Sequence, residues 1–159
     1  IRFDENDVRP MGRTAAGVRA IRLKEGDEVV AAVRATDEDA AVLTVTENGY
    51  GKRTRIGEYS VQNRGGQGLK TYQITQKTGE IVGAKKVTGE EDILLVSDDG
   101  TIIRMEAGSI SLLGRATQGV RLMRPAEGAH VVAMARTERE ASEEETAGPG
   151  ESAVEITEE

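Results

Sequence analysis

The sequence repeats itself every 51 residues, without a gap, from its first residues to about residue 136. A fixed period of this size is typical of one supersecondary unit repeated along a chain, with equivalent surfaces in a row. Functional residues are therefore expected in columns, with one position per repeat. The clearest columns are an arginine and a glycine four positions later: Arg13 and Gly17, Arg64 and Gly68, Arg115 and Gly119.

Apolar residues within each repeat form short runs bounded by glycine, asparagine or aspartate. Such runs of β-branched and aliphatic residues indicate strands rather than helices. Asn48-Gly49 and Asp99-Gly100 share one phase of the repeat, and both dipeptides favour a tight hairpin turn. The predicted strands are residues 1–3, 17–23, 28–35, 41–47, 50–56, 68–75, 80–87, 92–97, 101–106, 119–124 and 130–136.

Four short antiparallel strands in a unit of about 50 residues match a propeller blade. We therefore predict an all-β, propeller-like repeat of four-stranded antiparallel blades. Residues 1–137 are expected to hold two full and two partial blades, one repeat supplying the four strands of each full blade. Because the sequence opens in mid-repeat with Ile1, we expect a C-terminal piece of a longer protein.

Acidic residues are concentrated at the C-terminus. Residues 138–159 contain nine glutamates and one arginine, which leaves 20 bases and 19 acids in residues 1–137, although the whole chain has a net charge of −7. With few large apolar residues, the segment 138–159 is predicted to be a disordered acidic tail. Two roles are open for it: an intramolecular mimic of DNA, or a solubilising terminus without contacts.

Basic residues keep the period as well, so each basic column should form an arc of positive charge along one rim. The columns are Arg2, Arg53 and Arg104; Arg13, Arg64 and Arg115; Arg19, Lys70 and Arg121; Arg34, Lys85 and Arg136; and the pair Arg22 and Arg124. The second and third columns lie beside glycine-rich segments and are the predicted phosphate contacts. Weak surface ion pairs with the acids are the alternative interpretation of all these columns.

The segment 62–68 is the most distinctive stretch, because three of its last four residues are glycine. Gly65, Gly66 and Gly68 allow the backbone to approach a phosphate closely, and Arg64 supplies a cation. A nucleotide-binding loop is not expected, because that motif requires glycine directly before the lysine and Leu69 intervenes.

No catalytic constellation is found in the sequence. Tyr50, Tyr59 and Tyr72 lack the supporting acids that strand cleavage requires, and His130 has no ligand-spaced partners for a metal. Cysteine is absent, and no apolar run approaches the roughly 20 residues of a membrane span. The segment alone is expected to have no catalytic, cofactor-binding or metal-binding residues, no small-molecule substrate and no membrane partner.

These motifs resemble the C-terminal DNA-wrapping domain of the A chain of bacterial DNA gyrase, a type IIA topoisomerase. Residues 62–68 are similar to the gyrase A box, with Asn63 and Gln67 where that box has arginine and lysine. The other segments that carry the resemblance are Ile1-Arg2-Phe3, Met11-Gly12-Arg13, Gly17-Val18-Arg19, 48–54 and 114–120.

The resemblance implies a six-bladed β-pinwheel whose basic rim bends duplex DNA, within an ATP-dependent enzyme that supercoils DNA negatively. Its implied partners are duplex DNA, the gyrase B subunit, plus the remainder of the gyrase A subunit, in the bacterial cytoplasm at the nucleoid. The full box is expected upstream of residue 1. The predicted DNA-binding residues are Arg13, Arg19, Arg64, Gly65, Gly66, Gly68, Lys70, Arg115 and Arg121.

Three other functions are open at this point. The first is the corresponding domain of topoisomerase IV, which has fewer blades and lacks an intact box. The second is a protein-binding propeller, which would use the basic columns only for solubility. The third is a phosphate-handling enzyme, which would bind nucleotide at residues 62–71.

Overall fold

The computed structural model describes residues 1–139, and the rest of the predicted acidic tail lies outside that part. Strands and short 3₁₀ turns are the regular elements of the described chain, which confirms the all-β prediction. The strands are β1 (Ala41–Thr46), β2 (Tyr50–Arg55), β3 (Ile81–Val87), β4 (Asp92–Ser97), β5 (Ile102–Glu106), β6 (Val120–Arg121) and β7 (Val131–Thr137). The 3₁₀ turns recur with the 51-residue period at Glu5–Asp7, Ile56–Glu58 and Ala107–Ser109.

Both predicted hairpins are confirmed. β1 pairs with β2 and β4 pairs with β5, each antiparallel. Gly49 and Gly100 have φ of 79° and 86°, whereas the residues before them keep negative φ. The glycine therefore carries the left-handed position of each turn, as only an achiral residue does without strain. Its N–H closes the turn at 3.0 Å onto the carbonyl of Thr46 or Ser97.

The strands assemble into two antiparallel sheets, ordered β3-β1-β2-β6 and β5-β4-β7. Each sheet joins a hairpin to a strand from the next repeat, and β6 comes from the repeat after that. The prediction that one repeat supplies all four strands of a blade is therefore wrong. Hairpin pairing is local and is visible in the sequence, whereas the pairing of β1 with β3 depends on contacts about 40 residues apart.

The predicted strands at 17–23, 28–35 and 68–75 do not form, and 119–124 shortens to β6. Residues 28–35 and 68–75 are the equivalents, one repeat earlier, of the segments that contain β3 and β6. β3 pairs with β1 and β6 pairs with β2, and the equivalent pairing positions one repeat earlier would lie before residue 1. An extended segment without a neighbour has no ladder of hydrogen bonds. Residues 1–3 contribute a single parallel bridge between Arg2 and Val61, repeated 51 residues later between Arg53 and Leu112.

The core lies between the two sheets. Leu43 and Val45 of β1, Ile93 and Leu95 of β4, and Val131 of β7 are fully buried. Burying each of these side chains contributes about 1.5–3 kcal/mol, so this alternation fixes which face of each strand points inward. Among residues 1–139, no helix is long and apolar enough to cross a membrane.

Candidate nucleic-acid interface

Three equivalent turns follow the 51-residue period at Arg13, Arg64 and Arg115, and we call them the arginine turns. The parallel bridges at Val61 and Leu112 lie three residues before Arg64 and Arg115, at the start of the second and third arginine turns. Since the same bridge precedes both turns, the second and third arginines occupy equivalent stations of successive repeats.

Each of these two arginines is anchored to the backbone of a second basic residue. Arg64 donates through Nη1 to the carbonyl of Arg19, and Arg115 donates to the carbonyl of Lys70 at 3.2 Å. Arg64 also donates through Nε to the carbonyl of Asp7 at 3.2 Å. A guanidinium has five N–H donors, so these carbonyl contacts do not exhaust its capacity. The structure thus brings the second and third basic columns together, arginine beside arginine and arginine beside lysine.

Backbone hydrogen bonds reinforce this pairing. Gly65 N–H donates to the carbonyl of Ala20 at 2.8 Å, and the carbonyl of Gly66 accepts from Arg22 N–H at 2.8 Å. The carbonyl of Thr117, 51 residues after Gly66, accepts from Gln73 N–H at 3.0 Å. The glycine-rich turn is therefore a structural joint between extended segments, and its amides are partly used within the protein.

The remaining predicted residues are distributed around these joints. Arg13, Arg19, Lys70 and Arg121 are exposed, and Arg64 and Arg115 are half-buried. Gly68 has φ of 79° and lies against Ile1, where a Cβ atom would come within 3.0 Å of the backbone nitrogen. The positive φ of Gly68 and the small space beside Ile1 both favour glycine at this position, apart from any ligand.

Arg121 lies on an aromatic ring. It pairs with Tyr50 across β6 and β2, its Cζ is 4.6 Å from the ring centroid, and Nη2 donates to the Tyr50 hydroxyl at 2.6 Å. Lys77 approaches the same ring at 5.5 Å. Two exposed cations therefore flank one buried tyrosine, as cation–π attraction favours.

Lys52 is the most unusual cation of the described residues, because its side chain is fully buried in β2. Nζ donates to the carbonyls of Gly114 and Arg115 and to the carbonyl and hydroxyl of Thr117. Desolvation lowers the pKa of Lys52 to about 8, with a smaller opposing effect of Glu58 and a smaller supporting effect of Arg115. The third arginine turn is therefore wrapped around a buried ammonium.

The first basic column is used within the protein. Arg2 forms an ion pair with Glu38, Arg53 donates to the carbonyls of Ile110 and Gly108, and Arg104 donates to Asp92 at 2.8 Å. The contacts of Arg2 and Arg53 tie neighbouring repeats together, whereas the contact of Arg104 with Asp92 lies within one hairpin, between β5 and β4.

The fourth column lies elsewhere. Arg34, Lys85 and Arg136 all line an open cleft between residues 30–36, β3 and β7. They are therefore grouped apart from the arginine turns and offer a comparison set of exposed cations.

Tyr50 and Tyr72 are buried. Burial raises the pKa of Tyr72 to about 12, with a smaller effect of Tyr50 in the same direction. His130 is exposed and lies 3.7 Å from the Asp98 carboxylate. No group of three or more His, Cys, Asp and Glu side chains with metal-binding geometry occurs within residues 1–139.

Sequence reasoning missed Lys52 and Lys77, because neither belongs to a basic column. The positions 51 residues before and after Lys52 are Ile1 and Ile103, and those around Lys77 are Gly26 and Gly128. The one available signal was this substitution itself: a lysine where the other repeats have isoleucine.

The repeated β-sheets and basic turns define a propeller-like repeat domain. The chain matches the family described as "DNA gyrase C-terminal domain, beta-propeller" over residues 1–36, 40–88 and 91–138, and it belongs to that family. The last two matched segments each contain one hairpin and the strand that follows it in its sheet, which agrees with the blade boundaries seen in the structure.

Similar proteins include the DNA gyrase A subunit of Staphylococcus epidermidis, 52% identical over 141 residues. The DNA gyrase A subunit of Staphylococcus aureus strain MRSA252 is 50% identical over 148 residues. The alignments cover 88% and 91% of this chain but 16% of each relative, so the chain spans about one sixth of their length.

Two solved structures share the fold. A DNA gyrase A C-terminal domain superposes with a TM-score of 0.79 and 32% identity, covering 85% of this chain and 46% of that one. The C-terminal domain of DNA topoisomerase IV also gives 0.79, with 26% identity and coverage of 86% and 42%.

Proposed function

We propose that this chain binds duplex DNA without base specificity and bends it across the arginine turns, as part of a DNA gyrase. The observation that carries the proposal is the repeated contact of a turn arginine with the backbone of a second basic residue, Arg64 with Arg19 and Arg115 with Lys70. Paired cations at equivalent stations of successive repeats suit the regularly spaced phosphates of a curved duplex.

The proposed mechanism is electrostatic. Six predicted cations at the arginine turns and beside them would neutralise phosphates and release counterions: Arg13, Arg19, Arg64, Lys70, Arg115 and Arg121. No arrangement of side chains for reading base edges is needed, so sequence preference would arise from the bendability of the DNA. The chain itself performs no chemistry in this proposal; cleavage and ATP hydrolysis belong to the rest of the gyrase complex, its B subunit included, in the bacterial cytoplasm at the nucleoid.

Gyrase is favoured over topoisomerase IV as the parent enzyme. Relatives that are about half identical over nearly the whole chain are gyrase A subunits, whereas the topoisomerase IV domain is 26% identical. The structural likeness alone does not discriminate, because both solved domains superpose equally well.

Charge reversal at two turns tests the proposal. Arg64→Glu with Arg115→Glu should weaken duplex binding by at least about tenfold, since phosphate contacts are replaced by repulsion. DNA bending, measured by fluorescence transfer between labelled duplex ends, should be lost with it.

Arg34→Glu with Lys85→Glu is the matched control, because it makes the same change of charge in the separate cleft. It should retain most of the affinity and the bend. Equal losses in both double variants would reduce the proposal to a non-specific effect of net charge, and no loss in the turn variant would contradict it.

A further inference from the structure

The backbone of Arg115 is held from both sides by side chains of opposite charge. Its N–H donates to Oε2 of Glu58 at 3.3 Å, and its carbonyl accepts from Nζ of Lys52. Lys52 also binds the carbonyl of Gly114 at 2.8 Å and the carbonyl and hydroxyl of Thr117, both at 3.1 Å. One ammonium therefore fixes both ends of the third arginine turn.

The burial of Lys52 has a cost that the packing must offset. A fully buried ammonium is strongly disfavoured unless hydrogen bonds replace its water. Here four oxygen atoms share the three N–H donors of the ammonium, and Nζ lies 4.8 Å from the centroid of the Tyr72 ring. A core position in a strand would be filled at less cost by isoleucine, which is the residue found at Ile1 and Ile103 in the neighbouring repeats.

We propose that Lys52 is a positioning residue for DNA binding: its ammonium shapes the turn Gly114–Thr117 so that Arg115 is presented to a phosphate. The inference rests on the proposed function. It makes the third arginine turn different from the second, in which the position of Lys52 is taken by Ile1, and it predicts a DNA contact that depends on the protonation of a buried group.

The charged and titratable groups that face Lys52 are few in the described chain. Glu58 opposes the effect of burial, Arg115 adds to it, and Tyr72 presents its ring. Burial keeps the phenol of Tyr72 protonated, with its pKa raised to about 12. Between pH 7 and 9.5, the change in this cluster is therefore the loss of the Lys52 proton as the pH passes its pKa of about 8.

The first test uses the full chain and the variant Lys52→Met, which keeps an unbranched side chain one atom shorter and removes the charge. Amide hydrogen exchange without DNA should accelerate at Arg115 of the third turn, whose N–H donates to Glu58, and remain unchanged at Gly65 of the second turn, whose N–H donates to the carbonyl of Ala20. Lys52→Arg should not rescue the turn, because a planar guanidinium does not fit four oxygens around one nitrogen. Unchanged exchange in the third turn would overturn the proposal.

The second test is a double-mutant cycle on the affinity for a duplex of random sequence. Lys52→Met and Arg115→Ala should each weaken binding about tenfold, the value of a charge-assisted hydrogen bond. The two together should do no more than either alone, because one acts through the other. Lys52→Met combined with Arg64→Ala should be additive, and additivity with Arg115→Ala instead would contradict the positioning role.

The third test needs no change at position 52. Duplex affinity of the unmodified chain should fall as pH rises from 7 to 9.5, whereas Arg115→Ala should lack this component. The same pH dependence in both would overturn the inference. Normal DNA binding by Arg115→Ala would contradict the proposed function at this site. Faster exchange in Lys52→Met would still support the shaping of the turn by Lys52, so the two failures are distinguishable.

Discussion

Arg121 lies against Tyr50, with its Cζ 4.6 Å from the ring centroid and Nη2 bonded to the phenol oxygen at 2.6 Å. The ring lies in β2 and the arginine in β6, which come from different repeats. The stacked tyrosine therefore orients an exposed cation of the proposed DNA-binding rim and joins two repeats at the same time.

Replacing each partner should separate these two roles. Arg121→Ala should weaken duplex binding and reduce the salt slope by about one, as expected for the loss of one phosphate contact. Tyr50→Phe keeps the ring but removes the hydroxyl acceptor, so it should cost about 1 kcal/mol of unfolding free energy and leave the salt slope unchanged. Denaturant titration and fluorescence anisotropy measure the two quantities; a reduced slope in Tyr50→Phe would show that the hydroxyl, not the ring, orients the arginine.

Gly49 and Gly100 occupy the same turn position one repeat apart but differ in what surrounds them. A Cβ atom at Gly49 would collide with the carbonyl oxygen of Met123, whereas at Gly100 nothing lies within 4 Å. Gly100→Ala should therefore cost only the strain of positive φ, about 1 kcal/mol. Gly49→Ala should cost about 3 kcal/mol, since overpacking is added to the strain.

Denaturant unfolding of the two alanine variants measures this difference. Gly49→Ala should also weaken DNA binding, because the Gly49 carbonyl accepts the N–H groups of Leu122 and Met123 next to Arg121. Equal destabilisation by the two substitutions would show that β6 is not packed on the first hairpin in this way.

Glu91 stabilises the fold against acid. Burial alone would raise the pKa of its carboxyl, but hydrogen bonds from Thr88 and Gly89 outweigh burial and lower it to about 2. A carboxyl whose pKa is lower in the folded state stabilises fully above its unfolded value, near 4.5, and this stabilisation is lost as pH falls towards 2. Glu91→Gln should lower the free energy of unfolding at pH 7 and flatten the acid limb of stability against pH.

Thermal or urea unfolding between pH 7 and 2.5 checks this expectation. Glu90→Gln is the control, because Glu90 is next to Glu91 in the sequence and is exposed. An acid limb that keeps its slope in Glu91→Gln would assign acid stability to other carboxylates.

Lys52 gives stability a dependence on pH at the alkaline end. Its folded pKa, about 8, lies below the ordinary value of 10.5 because burial disfavours the charge. Between these values the unfolded chain binds more protons, so the free energy of unfolding should rise with pH, by up to about 3 kcal/mol. Above pH 10 the raised pKa of Tyr72 acts in the opposite direction, because the unfolded phenol loses its proton first and stability then falls, so stability should peak near pH 10. In Lys52→Met the rise between pH 8 and 10 should vanish, and its persistence there would locate the titrating group elsewhere.

The parts of this structure that local sequence determines were predictable. The hairpins at Gly49 and Gly100 follow from a dipeptide and the alternation of apolar residues, because both act over a few residues. The grouping of strands into sheets was not predictable in the same way. β3 and β6 join β1 and β2 from later repeats, and a periodic sequence gives no preference for pairing within a repeat over pairing between repeats.

The candidate site was predictable to a similar extent. The column that contains Arg64 and Arg115 is visible as a period, but their contacts with Arg19 and Lys70 depend on how segments 45 residues apart pack. Lys52 was not predicted as a functional residue because its proposed role comes from burial, and the burial of a single lysine produces no repeated pattern in the sequence.

The salt dependence of duplex binding tests the central proposal most directly. Six phosphate contacts should give a slope of log affinity against log salt of about −5, since each contributes about −0.9. Removal of the turn arginines, Arg64→Ala with Arg115→Ala, should bring the slope to about −3.5. A slope near zero, or one that the two substitutions leave unchanged, would contradict the account.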